Sequence, residues 1–359
     1  MQIDFLIGDN PYGTTPFFAK SLAAAMERLG YRTRLFWVAD YHFFHALNEI
    51  HAQPPQLTCS FSDIHVQGKP LGEMLRIPHL SLLIDPAIYF LHQLKSEKYG
   101  WVSCVDQDDC KWLQEGGFKN SFFLPHGAET ALLTPVDKKR PFDAVFFGTC
   151  IDYQAIEKSW EKRYAKHARV LREAAERVLA PAGISILNAL LSLNVAMAEI
   201  PLLHREVDQY IRGKDRVELL KKISTSHTLH IWGRGPWKKY VPDATLHRPL
   251  PFEKTFSIMQ NAQLVLNSSP RFKSGTHERM FYASICGACV LTGENHFVNQ
   301  HFIPGIDLLT YRFGEWEVNT RPTQEIALKG QQKVLQHHTW DTSATLLHHW
   351  LLTRQSSAL

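Results

Sequence analysis

No uninterrupted apolar segment approaches the roughly 20 residues that a transmembrane helix requires, so contact with a membrane is expected to be peripheral. The opening residues, Met1-Gln2-Ile3-Asp4-Phe5-Leu6-Ile7-Gly8-Asp9, lack the basic lead and apolar stretch of a secretory signal and read as a first strand. Neither sign of charge dominates: 39 Lys and Arg stand against 35 Asp and Glu, a formal net charge of +4. So mild an excess does not predict binding to nucleic acid. Cys59, Cys104, Cys110, Cys150, Cys286 and Cys289 are dispersed with no matched second pair, which argues against a disulfide framework and fits buried thiols in a reducing cytoplasm. Neither the GxGxxG spacing of dinucleotide folds nor the GxxxxGK[ST] loop is present, which disfavours an NAD-linked oxidoreductase and a P-loop ATPase. What is present, 45% hydrophobic and 21% charged residues over 359 positions, is an ordinary globular composition, long enough for two domains.

The first organised unit is β-α-β. Ile3 to Ile7 form an apolar strand, Gly8 to Pro16 a loop of turn residues, and Phe17, Phe18, Leu22, Ala25, Met26 and Leu29 an apolar helical stripe ending at Gly30. Thr15 is the expected cap, with Pro16 at the first helical position. Gly13 and Thr14 lie at the carboxyl edge of a first parallel strand, where open α/β sheets bind ligands, and are read either as ligand-facing or as a turn and cap. Further strands deliver Asp85, Asp106 and His126 to the same edge as Asp9. Each of these is a candidate for the site or a helix cap or loop residue.

Thr134-Pro135-Val136-Asp137-Lys138-Lys139-Arg140-Pro141 is charged and bracketed by prolines, which predicts a linker, with domains at 1–138 and 139–325 and a C-terminal helical segment at 326–359. Asp143 to Phe147 start a second sheet, with Gly148 at the strand end. Residues 153–225 are helical in pattern, either a layer over that sheet or an insertion that touches an acceptor or partner. The adjacent pairs His337-His338 and His348-His349 do not point at one ion on a helix, and no metal site is expected.

The most informative stretch begins at Leu229-His230-Ile231-Trp232-Gly233-Arg234-Gly235, a strand ending in a glycine turn beside an arginine and Trp237. Downstream of the strand Leu264 to Asn267, Arg271 and Lys273 place two cations beside Gly275-Thr276 where a helix is expected to start. Backbone donors, a hydroxyl and two cations suit a diphosphate. His277, Glu278 and Arg279 fall in the first turn, and Glu278 and Tyr282 share a helix face from which a carboxylate can take two hydroxyls of a ribose or sugar.

Residues 229 to 295 resemble the donor-binding domain of GT-B-fold glycosyltransferases, in particular the group 1-like enzymes that include CgeB-type spore-maturation proteins. The resemblance implies an α/β chain of two Rossmann-like domains facing across a cleft, with a helical insertion in the second. In that family the C-terminal domain holds the sugar nucleotide and the acceptor approaches from the N-terminal domain. Gly233 and Arg234 then lie beside the nucleotide, Arg271, Lys273, Gly275, Thr276 and His277 border the diphosphate, and Glu278 meets the ribose or sugar. The widespread form of the helix reads Glu-Ala-Met-x-Cys-Gly, and Tyr282 stands at its glutamate here. The last helix, with Trp340, Leu346, Trp350 and Leu351, is expected to pack back on the N-terminal domain.

The implied activity is transfer of a sugar from a nucleoside diphosphate donor to a hydroxyl-bearing acceptor, a glycan, lipid-linked glycan or protein, without a cofactor or metal. Inversion would need a base, for which Asp9 and Asp85 are the leading candidates and His126 the reserve. A nucleotide-sugar isomerase or epimerase, and a sugar-nucleotide-binding or structural protein without catalysis, are the rival readings. The expected location is the cytoplasm, with access to the inner face of the membrane.

Overall fold

Ile3, Phe5, Leu6 and Ile7 are almost wholly buried, as a strand enclosed on both faces of a parallel sheet should be. The computed structural model describes residues 1–38, 42–62, 64–66, 68–90, 98–315 and 320–356, so that 357–359 of the expected C-terminal segment lie outside the described residues. The chain divides into one unit of Met1–Glu129, Pro251–Glu253 and Gln336–Leu359 and a second of Thr130–Leu250 and Lys254–Leu335.

Along the chain run β1 (Gln2–Ile7), α1 (Thr14–Arg28), β2 (Arg32–Trp37), α2 (His42–Ala52), β3 (Leu57–Phe61), β4 (His65–Val66), β5 (Lys69–Pro70), α3 (Leu71–Leu75), β6 (His79–Leu83), β7 (Gly100–Cys104), α4 (Gln107–Glu115) and β8 (Ser121–Phe123). There follow β9 (Phe142–Phe147), α5 (Tyr153–Arg163), α6 (Ala168–Leu179), α7 (Ile186–Ser192), α8 (Ile200–Ile223), β10 (Leu229–Trp232), α9 (Trp237–Tyr240), β11 (Thr245–His247), α10 (Phe252–Met259) and β12 (Ala262–Asn267). The chain closes with α11 (Arg279–Ile285), β13 (Cys289–Gly293), α12 (His296–His301), β14 (Leu309–Tyr311), α13 (Gln324–His337) and α14 (Trp340–Ser356).

The first unit carries a six-stranded sheet in the order β2-β1-β3-β6-β7-β8, every neighbouring pair parallel. The order reverses between β1 and β3, so the β1–α1 loop stands at a topological switch point. That loop is tied by Asn10, whose Oδ1 accepts from the backbone N–H of Tyr12 and Thr14. Gly13 holds a left-handed φ of 75° as the cap, so α1 starts at Thr14, one residue before the expected cap at Thr15. The C-terminal helix α14 belongs to this unit: Trp350 stacks on Phe122 at 4.2 Å, and Trp340 is buried beside Phe18. Leu347 takes the buried position expected of Leu346, which is exposed.

The second unit has six parallel strands in the order β11-β10-β9-β12-β13-β14. Counted along the chain this is 3-2-1-4-5-6, with the switch point between β9 and β12. Residues 134–141 are seated against this unit: Arg140 is buried, and its guanidinium donates to the carbonyls of Met259, Gln260, Ala262, Pro135 and Cys286. The helical stretch after β9 is an insertion of α5, α6 and α7 packed on α8. At about 1.5 Å per residue, the 24 residues of α8 are longer than any strand beneath it. Arg216 meets the carbonyl of Thr149 just past the end of β9, so the preceding turns of α8 overhang the carboxyl edge of the sheet. Among the described residues no helix is long and apolar enough to cross a membrane.

Candidate active site

Two glycine loops meet at the carboxyl edge of the second sheet. A Cβ at Gly233 would lie 1.8 Å from the carbonyl oxygen of Gly148, and Gly235, at φ +91°, would put one 2.2 Å from that of Cys150. Only glycine permits this approach, which sets the loops after β9 and β10 side by side. Arg234 is exposed, and its carbonyl accepts from the N–H of Cys150 at 2.8 Å.

Beside these loops four arginines converge from three segments: Arg212 and Arg216 on α8, Arg271 in the loop after β12, and Arg279 at the start of α11. The guanidinium carbons of Arg216 and Arg279 stand 6.0 and 5.6 Å from the centre of the Phe146 ring. Burial pushes the pKa of Arg216 well down, and Arg212, Arg279 and Arg271 push it further while Asp208 opposes. A buried guanidinium so disfavoured by its neighbours calls for an anion. Asp208 supplies part of it, with Oδ2 at 3.3 Å from Arg212 Nη1 and 3.7 Å from Arg271 Nη1.

Alongside lies a cavity of about 520 Å³ lined by the end of α6 and the loop after it (178–183), by residues 269–270 and 272–274, and by the ends of β13 and β14. Asp215 lines it; its Oδ2 accepts from Ser268 Oγ at 2.6 Å and Tyr311 Oη at 2.7 Å. Burial raises the pKa of Asp215, while the two hydroxyl donors work against that rise. Lys273 is half-buried on the cavity wall, and its ammonium donates to the carbonyl of Val178 at 2.7 Å, at the end of α6.

The remaining expected residues divide. Gly275 and Thr276 are buried in the loop, Thr276 with its hydroxyl 3.9 Å from Met280 Sδ. His277 Nδ1 pairs with Glu278 Oε2 at 2.7 Å. The helix starts at Arg279, later than expected, and Glu278 is its cap residue. Tyr282, expected among the ligand contacts, is fully buried and stacks on Phe256 at 5.0 Å; this ring fills the space between α11 and α10. Asp9, Gly13 and Thr14 lie after β1, Asp85 after β6 and His126 after β8, all at the carboxyl edge of the first unit's sheet. Asp9 is exposed and Asp85 half-buried, whereas His126 is buried with its ring 5.2 Å from that of Phe18. Among the described residues no three metal-binding side chains come together.

The sequence does not single out Asp208, Arg212, Asp215 or Arg216, and it places Arg279 in the first helical turn without a ligand role. Their signal is weak but present: Asp208, Arg212 and Arg216 recur every four residues along α8, on a helix whose buried positions are otherwise mostly apolar.

Residues 212–349 match a family model described as glycosyl transferase-like, less than half of the chain. No curated protein matches by sequence. Among solved structures the chain is similar to a sucrose-phosphate synthase from Thermosynechococcus elongatus, with a TM-score of 0.58, 11% identity and 100% of both chains covered. It is also similar to HepE of Anabaena in complex with UDP-glucose, with a TM-score of 0.53 and 12% identity over 98% of this chain and 99% of that one. AviGT4, a glycosyltransferase involved in avilamycin A biosynthesis, aligns with a TM-score of 0.54 and 8% identity over 97% and 96% of the two chains. At these identities the likeness is one of fold: two doubly wound α/β units in one chain.

Proposed function

We propose that this chain is a nucleotide-sugar-dependent glycosyltransferase of the GT-B type. The observation that carries the reading is the convergence of Arg212, Arg216, Arg271 and Arg279 on the carboxyl edge of a 3-2-1-4-5-6 sheet, within the segment that matches the glycosyl transferase-like model. In this reading the donor's diphosphate lies against the arginines, with Gly233 and Arg234 beside the nucleotide. As the glycosidic bond breaks, the departing nucleoside diphosphate gains a negative charge, and planar guanidinium groups already in place stabilise it without reorganisation. No metal or cofactor is assigned to that step. Lys273 acts on the wall of the cavity in which the sugar sits, beside Asp215, and His277 with Glu278 borders the same loop. HepE and its bound UDP-glucose support a donor of this class.

The first unit is the acceptor side of the proposal, for a hydroxyl on a glycan, a lipid-linked glycan or a protein. An inverting reaction assigns the base to Asp9, Asp85 or His126; Asp9, exposed in the loop at the switch point, is the first to replace. The finer placement near the CgeB-like group rests on the resemblance of residues 229–295, from which Tyr282 departs by standing where the widespread form carries glutamate.

Calorimetry with UDP, GDP, CDP, ADP and their common sugar conjugates tests the donor site. One nucleotide is expected to bind selectively, and Arg271→Ala to weaken it by about tenfold or more, the scale of a charge-assisted contact. Equal binding in the variant would remove Arg271 from the site. Donor conversion without an acceptor would favour an isomerase, and selective binding without turnover a binding protein.

A further inference from the structure

Asp208 is held more loosely than the buried carboxylates Asp4 and Asp215. Asp4, also buried, takes two bonds from Arg34, at 2.9 Å from Nε and 2.6 Å from Nη2. Asp215, two turns along the same helix, is held by two hydroxyls at 2.6 and 2.7 Å. Asp208 is 1% exposed, yet its Oδ2 reaches Arg212 only at 3.3 Å and Arg271 at 3.7 Å, beyond the usual range of a charge-assisted bond. Among the described residues its Oδ1 has no hydrogen-bond partner, and neither does the buried Nε of Arg216. A buried carboxylate with one oxygen unanswered and the other at long range is costly as architecture.

Resting on the donor reading above, we propose that Asp208 is a resident counter-anion that competes with a bound diphosphate for Arg212 and Arg271, weakening donor capture and speeding release of the nucleoside diphosphate product. The competition follows from the geometry. A diphosphate offers several oxygens to planar guanidinium groups and can form the short paired bonds that one carboxylate at 3.3 and 3.7 Å does not. Asp208 stays in place, two turns from the anchored Asp215, and takes the arginines back when the product leaves. It is a positioning residue, acting on the reaction through the arginines it shares with the ligand.

Inorganic pyrophosphate is the probe, titrated by calorimetry into the full chain. Asp208→Asn, nearly the same shape without the charge, is expected to bind it at least about tenfold more tightly than the unaltered protein, the scale of one partly buried charge pair. Arg212→Gln is expected to bind it more weakly, and the double variant Asp208→Asn with Arg212→Gln, which removes one charge of each sign, to return within about threefold of the unaltered protein. The double variant also carries the test should the single substitution fail to fold. A residue that only braced the arginines would lose affinity when replaced, so unchanged or weaker binding by Asp208→Asn, or a double variant as weak as Arg212→Gln, overturns the proposal. If the unaltered protein binds neither pyrophosphate nor any nucleoside diphosphate, the donor reading falls with it. If it binds them and Asp208→Asn gains nothing, only this inference falls.

Discussion

His79 shows how a single buried group makes the fold sensitive to acid. It lies in the middle of the first sheet, with Nδ1 at 2.9 Å from Thr58 Oγ1 and Nε2 at 3.0 Å from Ser60 Oγ. Burial lowers its pKa to about 3, and His65 adds to the shift. The folded protein therefore keeps the ring neutral while the unfolded chain takes up a proton near pH 6.5. Stability is whole above that value and declines as pH falls through the window from 6.5 towards 3. The expected slope is up to about 1.4 kcal/mol per pH unit from this one residue. Urea denaturation between pH 7 and 4.5 measures it: His79→Gln, which can keep both hydrogen bonds, is expected to flatten the profile by that amount. At the same scale Arg271 and Lys273 read alike in sequence, two cations beside a glycine, yet one joins the arginine cluster and the other donates to a helix carbonyl. Nothing in the local sequence separates them, because the partner of Lys273 lies 95 residues away in the insertion.

Helix ends are where one residue can govern whole elements. Arg140 donates to the carbonyls of Met259, the last residue of α10, and Gln260 just past it, and to that of Cys286 just past α11, answering orphan acceptors at the ends of two helices at once. Its place in a charged, proline-bracketed stretch suggests solvent, and its burial follows only from those carbonyls. Arg140→Met is expected to cost roughly 2–4 kcal/mol in urea denaturation, since several buried acceptors lose their donor. Arg140→Lys should recover only part, because an ammonium lacks the forked reach of a guanidinium. A full recovery by lysine would mean that charge alone, and not geometry, holds the helix ends. The insertion is the other element with a decisive effect. Its helical pattern over 153–225 is plain in the sequence, but its role depends on the overhang of α8, which brings Asp208, Arg212 and Arg216 to the strand ends.

Across the whole molecule the donor reading assigns ligand protection to one unit. Hydrogen exchange with a bound nucleoside diphosphate is expected to slow at 233–235 and 268–278 in the second unit and to leave the strands of the first unit unchanged; protection confined to the first unit would relocate the donor. By itself the sequence determined the fold class: apolar strands alternating with amphipathic helices can bury their faces only as parallel sheets between helices, and that alternation is local. It also marked the glycine turn at Gly233 and the loop from Arg271 to Glu278, since strand ends punctuated by glycine are readable from neighbours in the chain. Tertiary structure alone decided which charges meet. Arg212, Arg216, Arg271 and Arg279 come from segments up to 67 residues apart, and Tyr282 was turned into the core by Phe256, because burial and electrostatics depend on distance in space and the chain records only distance in sequence.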